Sequence, residues 1–285
     1  MRQISNSSTE LSRTELIGAA IPHHIFIEGI TMGFSIEAAC CCHMGKVRKN
    51  NEDNFYFEGK CLEAENNGLK NPVYIATPVK RGLCYAVFDG MGGENYGEIA
   101  SFAAARQMQQ TKRTLGDYLL SEEKYLNRLS LNLNEAVLQA KREQRTDRMG
   151  TTMVALYFSG RYVYVCNIGD SRAYRMRDGE LLQLSEDHVE HRPGRVHRKA
   201  PLTQHLGIDP EDMLIEPYIS KGELKKEDMY LLCSDGLTDM LSNLEITCLM
   251  HDSTSVDECV AQLIQAALDK GGRDNITVIV CRVTT

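Results

Sequence analysis

The chain has 285 residues, enough for one large domain or two small ones, and 42% of them are hydrophobic, enough for a sizeable core. A formal net charge of -7 argues against general nucleic-acid binding, and no apolar stretch reaches the length of a membrane span. Most of the ten cysteines lie inside apolar runs, and no secretory leader is recognisable, so a reduced cytoplasmic protein is expected.

Residues 1–15 are polar and read as a flexible tail, while 16–35 are more apolar but broken by Pro22, His23 and His24. The first 35 residues therefore form an N-terminal extension, partly flexible, and 36–285 one globular domain. Strand-like runs are expected near 36–42, 53–57, 73–76, 83–88, 151–158, 161–167, 171–176, 229–234 and 276–283. Gly160 and Asp178-Gly179 mark tight hairpins between neighbouring runs. Three helices are expected between the strands. Gly97 to about Lys112 is alanine-rich, with Ile99, Phe102 and Ala103 on one face. A second, near 121–145, aligns Leu126, Leu129, Leu133, Val137 and Ala140. The third starts at Ser255 with Glu258 as its capping box and ends at Gly271-Gly272. The pattern is α+β, with antiparallel sheets covered by helices.

Carboxylates cluster at the ends of these runs. Asp89-Gly90 and Asp235-Gly236 each follow an apolar run, Asp274 enters one, and the glycines are expected to turn the chain at the strand ends. Glu52 and Asp53 lie in Asn50-Asn-Glu-Asp53, and Asp170 lies in Gly169-Asp-Ser-Arg172. Gathering such groups is costly unless a cation neutralises them, and oxygen donors without His or Cys select Mg²⁺ or Mn²⁺. Six carboxylates suffice for two ions, an arrangement suited to phosphoryl chemistry, and Arg48 is the natural phosphate clamp. Singly, an Asp-Gly is more often a plain turn, and Asp170 can also be read as a turn aspartate bonding the backbone. Asp239 is expected to cap the turn after Asp235, and Arg172 to serve a structural ion pair.

Seven segments occur in order: Arg48…Asn51-Glu-Asp53, Asp89-Gly-Met-Gly-Gly93, Gly150-Thr-Thr152, Gly169-Asp-Ser-Arg172, Leu202-Thr-Gln…Leu206-Gly207, Ser234-Asp-Gly-Leu-Thr-Asp239 and Asp274-Asn-Ile-Thr277. Together they resemble the metal-dependent serine/threonine protein phosphatases of type 2C, in their compact bacterial form, over roughly 36–285. The resemblance implies a four-layer α-β-β-α sandwich, two central antiparallel sheets flanked by helix pairs. It implies hydrolysis of phosphoserine and phosphothreonine in proteins by a metal-bridging hydroxide, with phosphorylated proteins and an opposing serine/threonine kinase as partners. Asp89 would bridge two metals, with the Gly90 carbonyl reaching one of them. Asp235 and Asp274 would complete the first shell, and Glu52 and Asp53 would hold the second ion largely through water. Asp170, with Asp235, matches a weaker third-metal site of some members, and Arg48 matches the phosphate-binding arginine. A monomer that binds neither nucleic acid nor membrane is expected.

Two departures stand out. Met91 occupies the place of a histidine proposed as general acid in many eukaryotic members, so another group must protonate the leaving oxygen. The flap between Asp187-His188 and Leu202-Thr-Gln204 is short, and 188–201 carries Arg192, Arg195, Arg198, Lys199, His188, His191 and His197, expected to shape substrate choice. Two other function classes stay open: a catalytically silent phosphoprotein-binding relative, and a thiolate phosphatase using the Cys-x₅-Arg frame from Cys42 to Arg48. Against the latter, Asn50-Asn-Glu-Asp puts acidic groups where phosphate would sit, and Cys40-Cys41-Cys42 reads as strand filler.

Overall fold

Alternation of side chains along the strands builds the centre of the molecule. In the computed structural model, which describes residues 33–92, 96–190 and 200–284, two antiparallel sheets lie face to face. The first has the order β3 (Val73–Pro78), β1 (Ser35–His43), β12 (Ile276–Thr284), β11 (Met229–Cys233), β8 (Arg172–Arg177), β9 (Glu180–Gln183). The second runs β10 (Tyr218–Glu223), β7 (Tyr162–Ile168), β6 (Met153–Ser159), β4 (Leu83–Met91), β2 (Asp53–Tyr56), with β5 (Gly150–Thr151) on the end of β4. Helices α1 (Gly97–Gln110) and α3 (Glu122–Gln144) pack on the outer face of the second sheet. Helices α5 (Asn243–Asp252) and α6 (Val256–Asp269) cover the first. Two short helices, α2 (Leu115–Tyr118) and α4 (Asp235–Thr238), complete the set.

Three apolar clusters follow from this stacking, one under each helix pair and one between the sheets. The fold is the expected α-β-β-α sandwich. All described residues fall within one compact unit. The extension proposed over 1–35 lies outside the described residues as far as residue 32, as do 191–199 of the flap.

Several local expectations change. Strands β9 and β10 and helices α2, α4 and α5 were not expected. The buried face of α1 is Ala100, Ala104, Ala105 and Met108, with Ile99, Phe102 and Ala103 at its flanks. The helix lies between β2, β4 and α3, and such close approach favours the smallest side chains. Ser255 does cap α6, accepting from the Glu258 amide, but the Glu258 carboxylate bonds Thr254 instead, so the reciprocal capping box is absent there. It occurs on α5, between Ser242 and Glu245. The hairpin readings hold: Gly160 has φ 60, and Asp178 and Gly179 have φ 53 and 80.

Candidate active site

The inter-sheet face is apolar along most of its length and becomes polar at one end. On β2, Phe55 gives way to Asp53; on β4, Val87 to Asp89; on β11, Leu232 to Ser234; on β12, Ile279 to Thr277. The same step of two residues leads from Val154 to Thr152, from Val165 to Asn167, from Ala173 to Ser171 and from Cys40 to Cys42. Residues two apart share a face, so these groups form one polar layer closing the sandwich at a single end. Hydroxyls cross-link it. Ser234 and Thr277 each donate to Asp53 Oδ2 at 2.7 Å, and Thr152 and Ser171 meet at 2.7 Å. Asp53 is 1% exposed.

Asp53 and Asp89 are direct cross-strand partners, an unfavourable juxtaposition of like charges that a cation would relieve. Their backbones are fixed independently of the carboxylates: the Asp89 amide donates to Thr152 Oγ1 and its carbonyl accepts from Thr152 N and Thr151 Oγ1.

Both Asp-Gly glycines have a role other than turning. Gly90 continues β4 with no positive φ. A Cβ there would stand 2.0 Å from the Gly97 carbonyl oxygen and 2.6 Å from that of Glu52. Gly236 lies in α4, where a Cβ would stand 1.9 Å from the Asn275 carbonyl oxygen. Each glycine lets a distant segment approach its aspartate: Glu52 and the start of α1 reach Asp89, and Asp274-Asn275 reaches Asp235. Asp235 is 5% exposed.

Asn275 holds the other half of the site. Its Nδ2 donates to the carbonyls of Met44 and Asn50, and its Oδ1 accepts from the Glu52 amide at 2.8 Å. The Lys46 amide donates to the Gly272 carbonyl nearby, so the loop carrying Arg48 and Glu52 is laid onto the lead-in to β12. There Arg48 Nη2 donates to Asp274 Oδ2 at 2.6 Å, with Glu52 Oε2 3.9 Å from Nη1. The bond to Asp274 keeps the Arg48 guanidinium firmly protonated. Burial pushes the Glu52 carboxyl upward, Arg48 opposes this, and Glu98 in the first turn of α1 adds to it.

Asp170 sits on the β7–β8 turn at the same polar end. Gly169 has φ 102, its amide donates to His188 Nδ1, and its carbonyl accepts from the His188 amide. His188 therefore anchors the base of the flap, where Thr203 N donates to its carbonyl. The flap's arginines, Lys199, His191 and His197 lie outside the described residues. Arg172 makes the expected structural pair, with Asp187 at 2.6 Å, and the Asp239 amide donates to the Asp235 carbonyl, closing α4.

Met91 lines a cleft of about 260 Å³ together with Gly92, Arg148, Gly150 and His205. The His205 Nδ1 is 2.9 Å from the Leu206 carbonyl, which as an acceptor requires that nitrogen to carry the proton.

The Cys42 thiol is 0% exposed, between Asn51 Nδ2 at 3.0 Å and Thr277 Oγ1 at 3.1 Å. Burial, reinforced by the Asp53 charge, pushes it up to about 12, the reverse of an activated thiolate. Iodoacetamide at mildly alkaline pH is accordingly expected to label the exposed Cys248 and to spare Cys42 until the chain unfolds, as peptide mass mapping would show.

The model of the protein phosphatase 2C family matches residues 73–277. The chain belongs to this family. Among its relatives, the serine/threonine phosphatase stp of Listeria welshimeri is 32% identical over 253 residues, covering 82% of this chain and 91% of that one. The structure of the Mycobacterium tuberculosis serine/threonine phosphatase PstP/Ppp superposes with a TM-score of 0.70 at 30% identity, over 88% of this chain and 100% of that one. The PstP catalytic domain in complex with two manganese ions gives 0.69 at 29%, with the same coverage. The range matched to the family leaves out Arg48, Glu52 and Asp53; in this member they reach the site through Asn275, Gly90 and the β2–β4 pairing.

The donor set suits a hard divalent ion: carboxylates and backbone carbonyls at one end of the sandwich, two of the carboxylates face to face on adjacent strands. Among the described residues no three His, Cys, Asp or Glu side chains are gathered as a ready ligand cluster. Arg48 bonds Asp274, and two hydroxyls hold Asp53 Oδ2.

Sequence reading missed Asn275, Ser234, Thr277, Thr152 and Glu98. The first four stand beside or within the motif segments, which was the available signal.

Proposed function

We propose that this chain hydrolyses phosphoserine and phosphothreonine in proteins, dependent on Mn²⁺ or Mg²⁺. The observation that carries the reading is the polar layer: Asp53 and Asp89 opposed on adjacent strands, with Asp235 and Asp274 brought beside them by the glycine contacts. Asp89, Asp235, Asp274 and the Gly90 carbonyl would hold one ion, Asp89, Glu52 and Asp53 a second, and Asp170 with Asp235 a weaker third. The hydroxyl bonds to Asp53 Oδ2 favour a water-mediated role for that residue. When bound, such ions supply Lewis acidity, lowering the pKa of water and neutralising charge on the transferring phosphoryl group.

The chain's own residues orient the substrate. The Arg48–Asp274 pair is partly exposed and worth about 0–1 kcal/mol, so the guanidinium transfers readily to a phosphate, which accepts two of its N–H groups. The cleft beside Met91 receives residues flanking the phosphoamino acid. Met91 carries no proton for the leaving oxygen, so water must deliver it. The basic flap tunes peptide preference, and the phosphoproteins are products of an opposing serine/threonine kinase. Among the described residues no helix is long and apolar enough to cross a membrane. A cytoplasmic monomer, with its catalytic domain over 36–285, is part of the same proposal.

Phosphopeptide hydrolysis with and without EDTA, in wild type, Asp235→Ala and Cys42→Ser, tests the reading. Activity is expected to vanish with EDTA, to return with Mn²⁺, and to survive Cys42→Ser but not Asp235→Ala. EDTA-resistant activity that Cys42→Ser removes would instead establish the thiolate reaction. An inert wild type with Mn²⁺ supplied would point to a phosphoprotein-binding relative.

A further inference from the structure

Away from the polar layer, the two sheets gape along the side bordered by the edge strands β9 and β10, leaving a cavity of about 240 Å³. The apolar part of its lining continues the inter-sheet core, with Val163, Val165, Leu184 and Tyr230 on inward-facing positions and the exposed Leu182 beside them. Into this cavity the first sheet places Arg175, itself partly buried, flanked in register by Tyr230 on β11 and Leu182 on β9.

Strand β8 has three arginines, and the other two are each paired. Arg172 bonds Asp187 and Arg177 bonds Asp228, both at 2.6 Å. For Arg175 no carboxylate among the described residues lies within ion-pair distance, and its Nε is buried without a hydrogen-bond partner. The buried Nε–H is left without an acceptor unless a ligand supplies one, and an anionic oxygen is the acceptor a guanidinium favours.

The opposite sheet leaves room for that partner. Gly222 faces the cavity, and a Cβ there would meet only Val163 Cγ1, at 3.9 Å. The neighbouring Ser220 hydroxyl is engaged with the Leu184 carbonyl at 3.0 Å, which fixes the cavity wall.

We propose that this inter-sheet cavity is a binding site for a small organic monoanion, a carboxylate on an apolar body, held by Arg175. A carboxylate matches one guanidinium bidentately. A phosphate dianion would call for a second cation, and the nearby Lys221 ammonium lies instead 4.1 Å over the Tyr162 ring, on the helix-covered face. The volume is below the roughly 300–1,000 Å³ of drug-sized sites, which limits the ligand to a small metabolite. The site is separate from the catalytic groove and independent of the phosphatase reading.

Methyl NMR of the full chain, titrated with phenylacetate and with neutral phenylacetamide, tests the proposal. Phenylacetate is expected to shift the Val163, Val165, Leu182 and Leu184 methyls saturably, and phenylacetamide to do so about tenfold more weakly or not at all, having lost the charge-assisted pair. Arg175→Met should weaken phenylacetate binding to a similar extent. Gly222→Leu, which fills the cavity from the opposite sheet and leaves Arg175 intact, should abolish it, and carries the test should Arg175→Met not fold. Equal response to acid and amide overturns the proposal. So do unchanged affinity in Gly222→Leu, shifts confined to methyls beside the catalytic groove, and absence of any saturable shift with phenylacetate.

Discussion

Replacing Asp89 with asparagine is expected to reduce phosphopeptide turnover by on the order of 10³-fold or more while leaving the fold intact. The separation of the two effects follows from the hydrogen bonds. Asp89 is positioned through its amide and carbonyl, which Thr151 and Thr152 hold, and the substitution touches neither. Asparagine also removes one of two opposed carboxylates and with it their mutual repulsion. The second readout is thermal. A ligand at a hundred times its Kd stabilises by about 2.7 kcal/mol, so Mn²⁺ should raise the Tm of wild type clearly and that of Asp89→Asn far less. Equal Mn²⁺ stabilisation of both proteins would remove Asp89 from the metal site.

Asn275→Ala is expected to be nearly as damaging for a different reason. It deletes the donors to the Met44 and Asn50 carbonyls and the acceptor of the Glu52 amide in one change, at a site 2% exposed. Leaving such groups unsatisfied costs about 1–3 kcal/mol each, with partial recovery by water, so a loss of about 2–4 kcal/mol in denaturant titration is expected, with the m-value unchanged. Activity should fall further than stability explains, because the loop it anchors carries Arg48 and Glu52. Asn275→Asp should not rescue: it keeps the acceptor for Glu52 but replaces both donors by an oxygen facing two carbonyls. Wild-type activity in Asn275→Ala would show that the loop is held by other contacts.

Much of this architecture was legible because it is periodic. The apolar runs gave the core strands, and the stripe from Leu126 to Ala140 gave the long helix, since every residue of it faces the second sheet. Strand β10 escaped notice because Lys221 and Gly222 break its pattern, and β9 because four residues are too few to show one. Helix α1 misled in a simpler way: bulk suggested a buried face, whereas close packing placed the small residues inside.

At the site, the charged residues were visible and their supports were not. Asp89, Asp235 and Asp274 announced themselves at the ends of apolar runs. That Asp53 rests on Ser234 and Thr277 depends on contacts between segments 181 and 224 residues apart, to which local pattern is blind. The Asp-Gly glycines illustrate the same limit. Locally they look like turn formers, and only the approach of Gly97 and Asn275 shows what a side chain there would strike.

The stepwise change from apolar to polar side chains at the sandwich end makes catalysis a readout of folding accuracy. Slipping any one of these strands by a single residue would send its polar group to the helix side and push an apolar neighbour into the groove. A misthreaded molecule could keep its secondary structure and compactness and still have no site. After dilution from denaturant, regained specific activity would therefore count correctly threaded chains, where circular dichroism would count all of them.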